Sequence, residues 1–425
     1  MNASLKIYLF KLRWFLHEKI TFTWDFILYT LKFPISDLKN IEERSKGKKI
    51  IVYVGEQLPP RIPRIAKHLK YYESGHFMIL ICHERGFIEK FTDPCFDETV
   101  VFHNAYHLRR IMRQIPKIYL VHAFAPKSFF PSVVLRYFKY PFLIDMQDVL
   151  VNYYGRNPVL RWIENELPSE KFCLEHATGI VAHSLETNSG IRAFEINKKP
   201  KSIFFPLYCD NDMFCENNKI LAPDNIHVVY SGGVAGSHRN PEQYGNIQHH
   251  WLIEKFSEQK IHFHIYPSPS NLRADYEEYE VIAKNSEYFH FHQSVAQNQL
   301  AKEISKYHFG IIPFFWGDSS QTRDKYKYCT TLKFFNYMEA GLPIIVSKDK
   351  EFPSWLTERY GFGITLSKQT MDNIRQTILL RDYRKLVFHL EESRSKLSLR
   401  THINRLSAFY STSHVEYEKK SFSIK

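Results

Sequence analysis

Between Cys329 and Ser347 the chain reads CTTLKFFNYMEAGLPIIVS, and four of these residues are of types suited to holding a phosphorylated sugar. Thr330 and Thr331 stand where a helix would begin, where a hydroxyl caps free N–H groups and the positive end of the helix attracts an anion. Lys333 adds a cation for phosphate, and Glu339 adds a carboxylate that accepts hydrogen bonds from sugar hydroxyls. Gly232 and Gly233, in YSGGVAGSHRN, lack side chains, so their backbone N–H groups can approach a phosphate closely. His238 and Arg239 follow in the same stretch. A further group of polar residues ends apolar runs: Glu56 and Gln57 after IIVYVG, with Arg61 beyond them, and Asp145, Gln147 and Asp148 in YPFLIDMQDVL. Ligands of open parallel sheets bind outside the carboxyl ends of strands, which makes Glu56, Gln57 and Arg61 candidate acceptor contacts. Gln147 cannot take a proton, so a base would have to be Asp148 or Asp145. An aspartate in such a position is equally suited to capping a helix.

The elements that must position these groups are legible as alternating strands and helices. Leu332, Phe335 and Met338 recur at helical spacing, with Lys333, Asn336 and Glu339 offset to a polar face. Gly341 ends that helix and Pro343 prevents its return, and Ile344, Ile345 and Val346 then read as a strand covered on both faces. Upstream, IIVYVG is a buried strand, RIPRIAKHLKYYESG a helix closed at Gly75, and HFMILICH a second strand. The runs KIYLVHAFAP, YPFLIDMQDVL, IHVVYSGG, IHFHIYPS and HFGIIPFF continue the pattern. Alternation of this kind predicts an α/β protein with parallel sheets. A chain of 425 residues is long for one core, and the divisions read as an amino-terminal segment 1–45, domains 46–217 and 218–370, and terminal helices 371–425. Residues 36–49 and the polar stretch CENNKILAPDN, 215–225, read as linkers.

KFFNYMEAGLPIIVS resembles the donor-site segment of nucleotide-sugar-dependent glycosyltransferases of the GT-B fold, in the family 4-like group. The resemblance implies two Rossmann-like parallel-sheet domains facing across a cleft, with the amino-terminal helical segment as an addition. It implies that Lys333 lies near the donor pyrophosphate, that Glu339 holds the ribose, that the glycine turn at Gly232 and Gly233 brackets the same nucleotide, and that His238 and Arg239 stand where the family places its further phosphate-binding cations. It also points to His122, the histidine ending a strand, as a reaction-centre residue, and to Phe314, Trp316, Gly317 and Asp318 as the loop facing the donor sugar. Two departures stand out. Gln147 occupies the place of a family histidine, and Thr331 that of a glutamate expected to contact the hexose. The function implied is transfer of a sugar from a nucleotide diphosphate sugar, with no permanent cofactor and no metal required. A catalytically silent module binding nucleotide sugar or a partner protein is the alternative.

Composition bounds the partners. The formal charge is +12, which favours anionic ligands such as nucleotide diphosphates or an acidic lipid surface. Outside the amino-terminal segment the charge is spread rather than clustered with aromatics, which argues against a nucleic-acid binder. Six scattered cysteines without a C-x-x-C pair fit a reducing cytoplasm and no structural zinc site. His262 with His264, and His290 with His292, alternate so that each pair shares a strand face, read as a half-polar face. In residues 1–35, Leu5, Leu9, Leu12 and Leu16 form a helical stripe flanked by Tyr8 and Phe15, with Lys6, Arg13 and His17 beside it. That segment suits either an anionic membrane surface or packing on the enzyme body. No signal peptide and no run of 18 or more apolar residues is present, so the expected location is cytoplasmic, at most peripheral on the inner face of a membrane, with a saccharide or lipid-linked acceptor.

Overall fold

A computed structural model describes residue 38 and residues 40–86, 95–158, 160–315 and 327–422. The expectations placed on the amino-terminal segment before residue 38, and on Trp316, Gly317 and Asp318, fall outside the described residues. The chain divides into two compact units, one running to Phe205 and resuming at Ile403, the other spanning Pro206–His402. The boundary therefore precedes the expected one at 217, and residues 371–402 belong to the second unit. The stretch read as a linker at 215–225 is bound into that unit. Asn217 is buried, and its amide donates to the Gly341 carbonyl and to the Tyr383 hydroxyl, satisfying an acceptor left open where a helix ends. The segment before Lys49 is also partly structured, with a helix Ile41–Ser45 and Leu38 and Ile41 buried.

The first unit is built on a parallel sheet in the order β3-β2-β1-β4-β5-β6-β7. Its strands are β1 Lys49–Gly55, β2 His76–His83, β3 Glu98–Phe102, β4 Ile118–Ala125, β5 Phe142–Met146, β6 Gly179–Ala182 and β7 Lys201–Phe204. The second unit has a parallel sheet in the order β10-β9-β8-β11-β12-β13. Here β8 is His227–Gly232, β9 His262–Pro267, β10 Phe289–Phe291, β11 Phe309–Ile312, β12 Ile344–Ser347 and β13 Gly363–Leu366. Helices on the faces explain why the central strands read as unbroken apolar runs: β2 is buried along its whole length, as are β11 and β12. In each sheet the strand order reverses beside the first strand, between β1 and β4 and between β8 and β11. Those two switch points, at the carboxyl ends of the strands, are where such sheets bind ligands.

The alternating histidines form something more ordered than a half-polar face. His227 Nδ1 pairs with His264 Nε2 at 2.8 Å, His264 Nδ1 with His292 Nε2 at 3.0 Å, and His262 Nδ1 with His290 Nε2 at 3.0 Å, across β8, β9 and the end of β10. The rings stack along the sheet, as His264 and His290 do at 4.5 Å. Burial and neighbouring imidazoles depress these groups: His227 and His292 to about 4, with His264 and His290 also lowered. Folded values below the unfolded one mean that the cluster's contribution to stability is complete above about pH 6.5 and is lost as pH falls towards 4. Unfolding of the second unit is expected to become easier by roughly 1.4 kcal/mol per pH unit for each imidazole charged only in the unfolded chain. Thermal melts from pH 7.5 to 5 check this; an unchanged or rising midpoint would refute it.

Candidate functional site

In the second unit, the turn after β8 and the helix Leu332–Glu339 meet at one point. Gly232 has φ 147°, and a Cβ there would lie 2.3 Å from Lys333 Cε and 2.6 Å from Nζ, so only glycine leaves the lysine its place. Tyr230, fully buried, fixes the turn by donating from its hydroxyl to the Gly233 carbonyl at 2.8 Å. Tyr337, on the helix, accepts from Ser231 N–H at 3.0 Å and donates to the Ile311 carbonyl at 3.1 Å, tying helix, β8 and β11 together. The helix ends as expected, with Gly341 at φ 71° before β12.

Lys333 Nζ lies 5.2 Å from the Tyr230 ring centroid and 5.8 Å from that of Phe314. Desolvation, with the Lys350 cation beside it, pulls its pKa down to about 8. Lys350 and the Cys329 sulfur are its electrostatic neighbours. Lys350 is fully buried, 4.6 Å from the same Phe314 ring, with Nζ 2.8 Å from Cys329 Sγ. An anion brought to Lys333 would relieve this repulsion, which makes the point electrostatically receptive to phosphate.

The other expected donor contacts are placed differently. Thr331 is the N-cap residue, yet its side chain makes no cap hydrogen bond, and its Oγ1 is buried without a partner among the described residues. Thr330 is buried. Arg239 is engaged by Asp275 through two hydrogen bonds of 2.6 and 3.0 Å, so a phosphate would have to compete with that pair. Glu339 is 0% exposed, and its Oε1 accepts the Asp210 N–H at 2.8 Å. A ribose hydroxyl would have to compete with that N–H for the oxygen. Asn336 is likewise buried and accepts from Gln297 at 2.9 Å, so the polar stripe of this helix faces inward, with partners supplied by other segments.

Sequence reasoning missed Lys350 and His249. His249 is buried, its ring 4.1 Å from that of Tyr230, with Nε2 unpartnered among the described residues. Burial, then Lys333, push its pKa down to about 3, so the ring is neutral. Neither residue lies in a motif, and each is brought to the site by a strand or helix terminus whose direction only the fold reveals.

In the first unit, three expected site residues form one buried network. Arg61 Nε donates to Asp145 Oδ2 at 2.8 Å, and His122 Nε2 lies 3.3 Å from that oxygen. His122 Nδ1 bonds the Tyr410 hydroxyl, and Arg61 also reaches the Phe205 carbonyl. All three side chains are 0–1% exposed. Burial alone would raise the Asp145 pKa, but Arg61 and His122 hold it down at about 2. Asp145, His122 and Arg61, expected at the reaction centre and the acceptor, thus hold one another in a buried charge network.

Gln57 and Asp148, by contrast, line a single cleft of about 600 Å³ with Lys127, Tyr153, Tyr154 and Trp162. Glu56 pairs with Lys127 at 2.5 Å. Buried carboxylates hold the walls. Glu166 accepts from the Ser128 and Phe129 N–H groups at 2.9 and 3.0 Å, and Glu170 from those of Leu150 and Val151 at 2.8 and 3.1 Å. Burial pushes Glu166 up to about 7 and Glu170 up to about 8. Glu186 takes the Val149 N–H at 2.8 Å.

Residues 244–408 match the family described as glucosyltransferase 3-like, C-terminal domain. No curated protein matches the chain in sequence. Among solved structures, HepE of Anabaena in complex with UDP is similar at 12% identity and a TM-score of 0.63, over 86% of this chain and 100% of its own. A glycosyltransferase from Rickettsia africae is similar at 12% identity and a TM-score of 0.62, over 86% of this chain and 98% of its own. These likenesses show the GT-B fold, two parallel-sheet α/β units, and the family match makes the carboxyl-terminal part a glycosyltransferase domain.

Proposed function

We propose that this GT-B glycosyltransferase moves a sugar from a nucleotide diphosphate sugar, held by its second unit, to a saccharide or lipid-linked acceptor met by the cleft of its first. The observation that carries the reading is the meeting of Gly232 with Lys333, a cation held where the strand order reverses. Lys333, the N–H groups of the Gly232-Gly233 turn and the amino end of the helix Leu332–Glu339 would stabilise the diphosphate as it leaves. HepE, which is similar in fold, was crystallised with UDP and with UDP-glucose, which makes uridine diphosphate the first ligand to try. The aromatic and basic composition of residues 1–35 supports work at the inner face of a membrane, in assembly of a surface polysaccharide or glycolipid. No helix of the described residues is long and apolar enough to cross a membrane.

Lys333→Ala is expected to weaken UDP binding by roughly 10- to 150-fold, the value of a charge-assisted hydrogen bond of about 1.5–3 kcal/mol. Calorimetric titration of the full chain checks it. Equal affinities for the wild type and the variant would remove the donor site from this position.

A further inference from the structure

We propose that the imidazole ladder is an acid-operated latch: a proton taken up by it breaks the side-chain bonds between β9 and β10, frees that edge strand before the rest of the unit opens, and loosens the donor turn. The sheet register builds two kinds of contact. Residues directly opposite one another, His227 with His262 and His264 with His290, have rings stacked at 4.6 and 4.5 Å. Rings on the diagonal meet edge to edge, which gives the three N–N contacts of 2.8–3.0 Å. Asn225 Oδ1 accepts from His227 Nε2 at 2.7 Å, so that nitrogen carries the ring's proton and Nδ1 accepts from His264 Nε2. His264 Nδ1 in turn accepts from His292 Nε2, whose proton also faces the Tyr307 hydroxyl oxygen at 3.2 Å.

Each contact in this row uses one N–H and one lone pair, and His264, which is buried, uses both of its own. A further proton on it would turn an accepting nitrogen into a donor that faces another donor. The groups packed beside the row are already engaged. Tyr307 and Tyr266 bond one another at 2.8 Å, Tyr266 donates to Glu303, and Glu303 pairs with Lys306. His308, which faces Lys219, accepts the His227 N–H on its Nδ1 at 3.0 Å, so a proton there would break one more bond. The first element to yield is β10, because it is three residues long and pairs with β9 alone. Two of the three imidazole contacts, His262 with His290 and His264 with His292, cross from β9 to it or to the residue just past it. β11 and β12 carry no histidine. β9 ends beside Ser268, whose N–H holds the Gly232 carbonyl at 2.9 Å, so the same proton acts on the turn that meets Lys333; this consequence rests on the donor reading.

The test is amide hydrogen exchange of the full chain at pH 7 and pH 5, corrected for the intrinsic pH dependence of exchange. Residues 289–292 are expected to open more readily in acid, by roughly ten-fold per pH unit for each imidazole charged only in the open state, while β11 and β12 keep their protection. His264→Phe keeps a ring between Tyr307 and His290 but takes no proton, and is expected to lose most of the acid response. His292→Gln, whose amide still donates to His264 Nδ1, is expected to weaken it, and decides alone if the first variant does not fold. UDP affinity is expected to fall further between pH 7 and pH 5 in the wild type than in the variants, which share every other titrating group of the donor site. The proposal is overturned if residues 289–292 are equally protected at both pH values, if β11 and β12 open together with them, or if the folded variants answer acid as the wild type does in exchange or in UDP affinity. Failure of the wild type to bind UDP at pH 7 would instead strike the donor reading, and the exchange result would still decide the latch.

Discussion

Arg61→Ala is expected to destabilise the first unit by about 3–5 kcal/mol, the cost of leaving a buried charge without its partner. Arg61 and Asp145 are each 1% exposed, so water cannot replace the lost guanidinium. Asp145 Oδ1 already lacks a hydrogen-bond partner among the described residues, and the variant would leave Oδ2 with only the 3.3 Å contact to His122. A double variant, Arg61→Met with Asp145→Leu, is expected to recover much of the loss, because it removes both desolvation costs together. Urea denaturation followed by far-UV circular dichroism measures both. A single variant as stable as the wild type would show that the network does not hold the fold.

This network also marks where the sequence stops being informative. A polar residue ending an apolar run looks the same in sequence whether it opens on a cleft or meets a partner inside the protein. His122 is held by Tyr410, 288 residues away, and Glu339 by the Asp210 amide, 129 residues away. Local spacing carries no trace of either. The strands and their order of appearance were legible because covered parallel strands must be apolar throughout, as β2, β11 and β12 are. The meeting of Gly232 with Lys333 was legible for a different reason: a phosphate site needs backbone without side chains and a nearby cation, and both are residue types visible in the chain. Lys350 and His249 were not, since a lone lysine or histidine has no pattern around it.

Asp148→Asn is expected to lower kcat by about 10²- to 10⁴-fold while leaving UDP affinity unchanged, the effect of removing a general base that acts on the acceptor. Of the two strand-end aspartates, Asp145 is committed to Arg61 and held near 2, so it is a poor base, and it is out of reach of a ligand. Asp148 lines the cleft with Gln57 and Trp162, two residues along the chain from the Leu150 N–H that Glu170 fixes. Its position is thereby set by the backbone rather than by a mobile loop. Asparagine keeps the shape and one acceptor oxygen but cannot take the acceptor's proton, so the acid limb of the pH–rate profile should vanish along with the rate. A variant with the wild-type rate and the wild-type acid limb would show that the acceptor hydroxyl loses its proton elsewhere, and the cleft would then be a binding surface without a base.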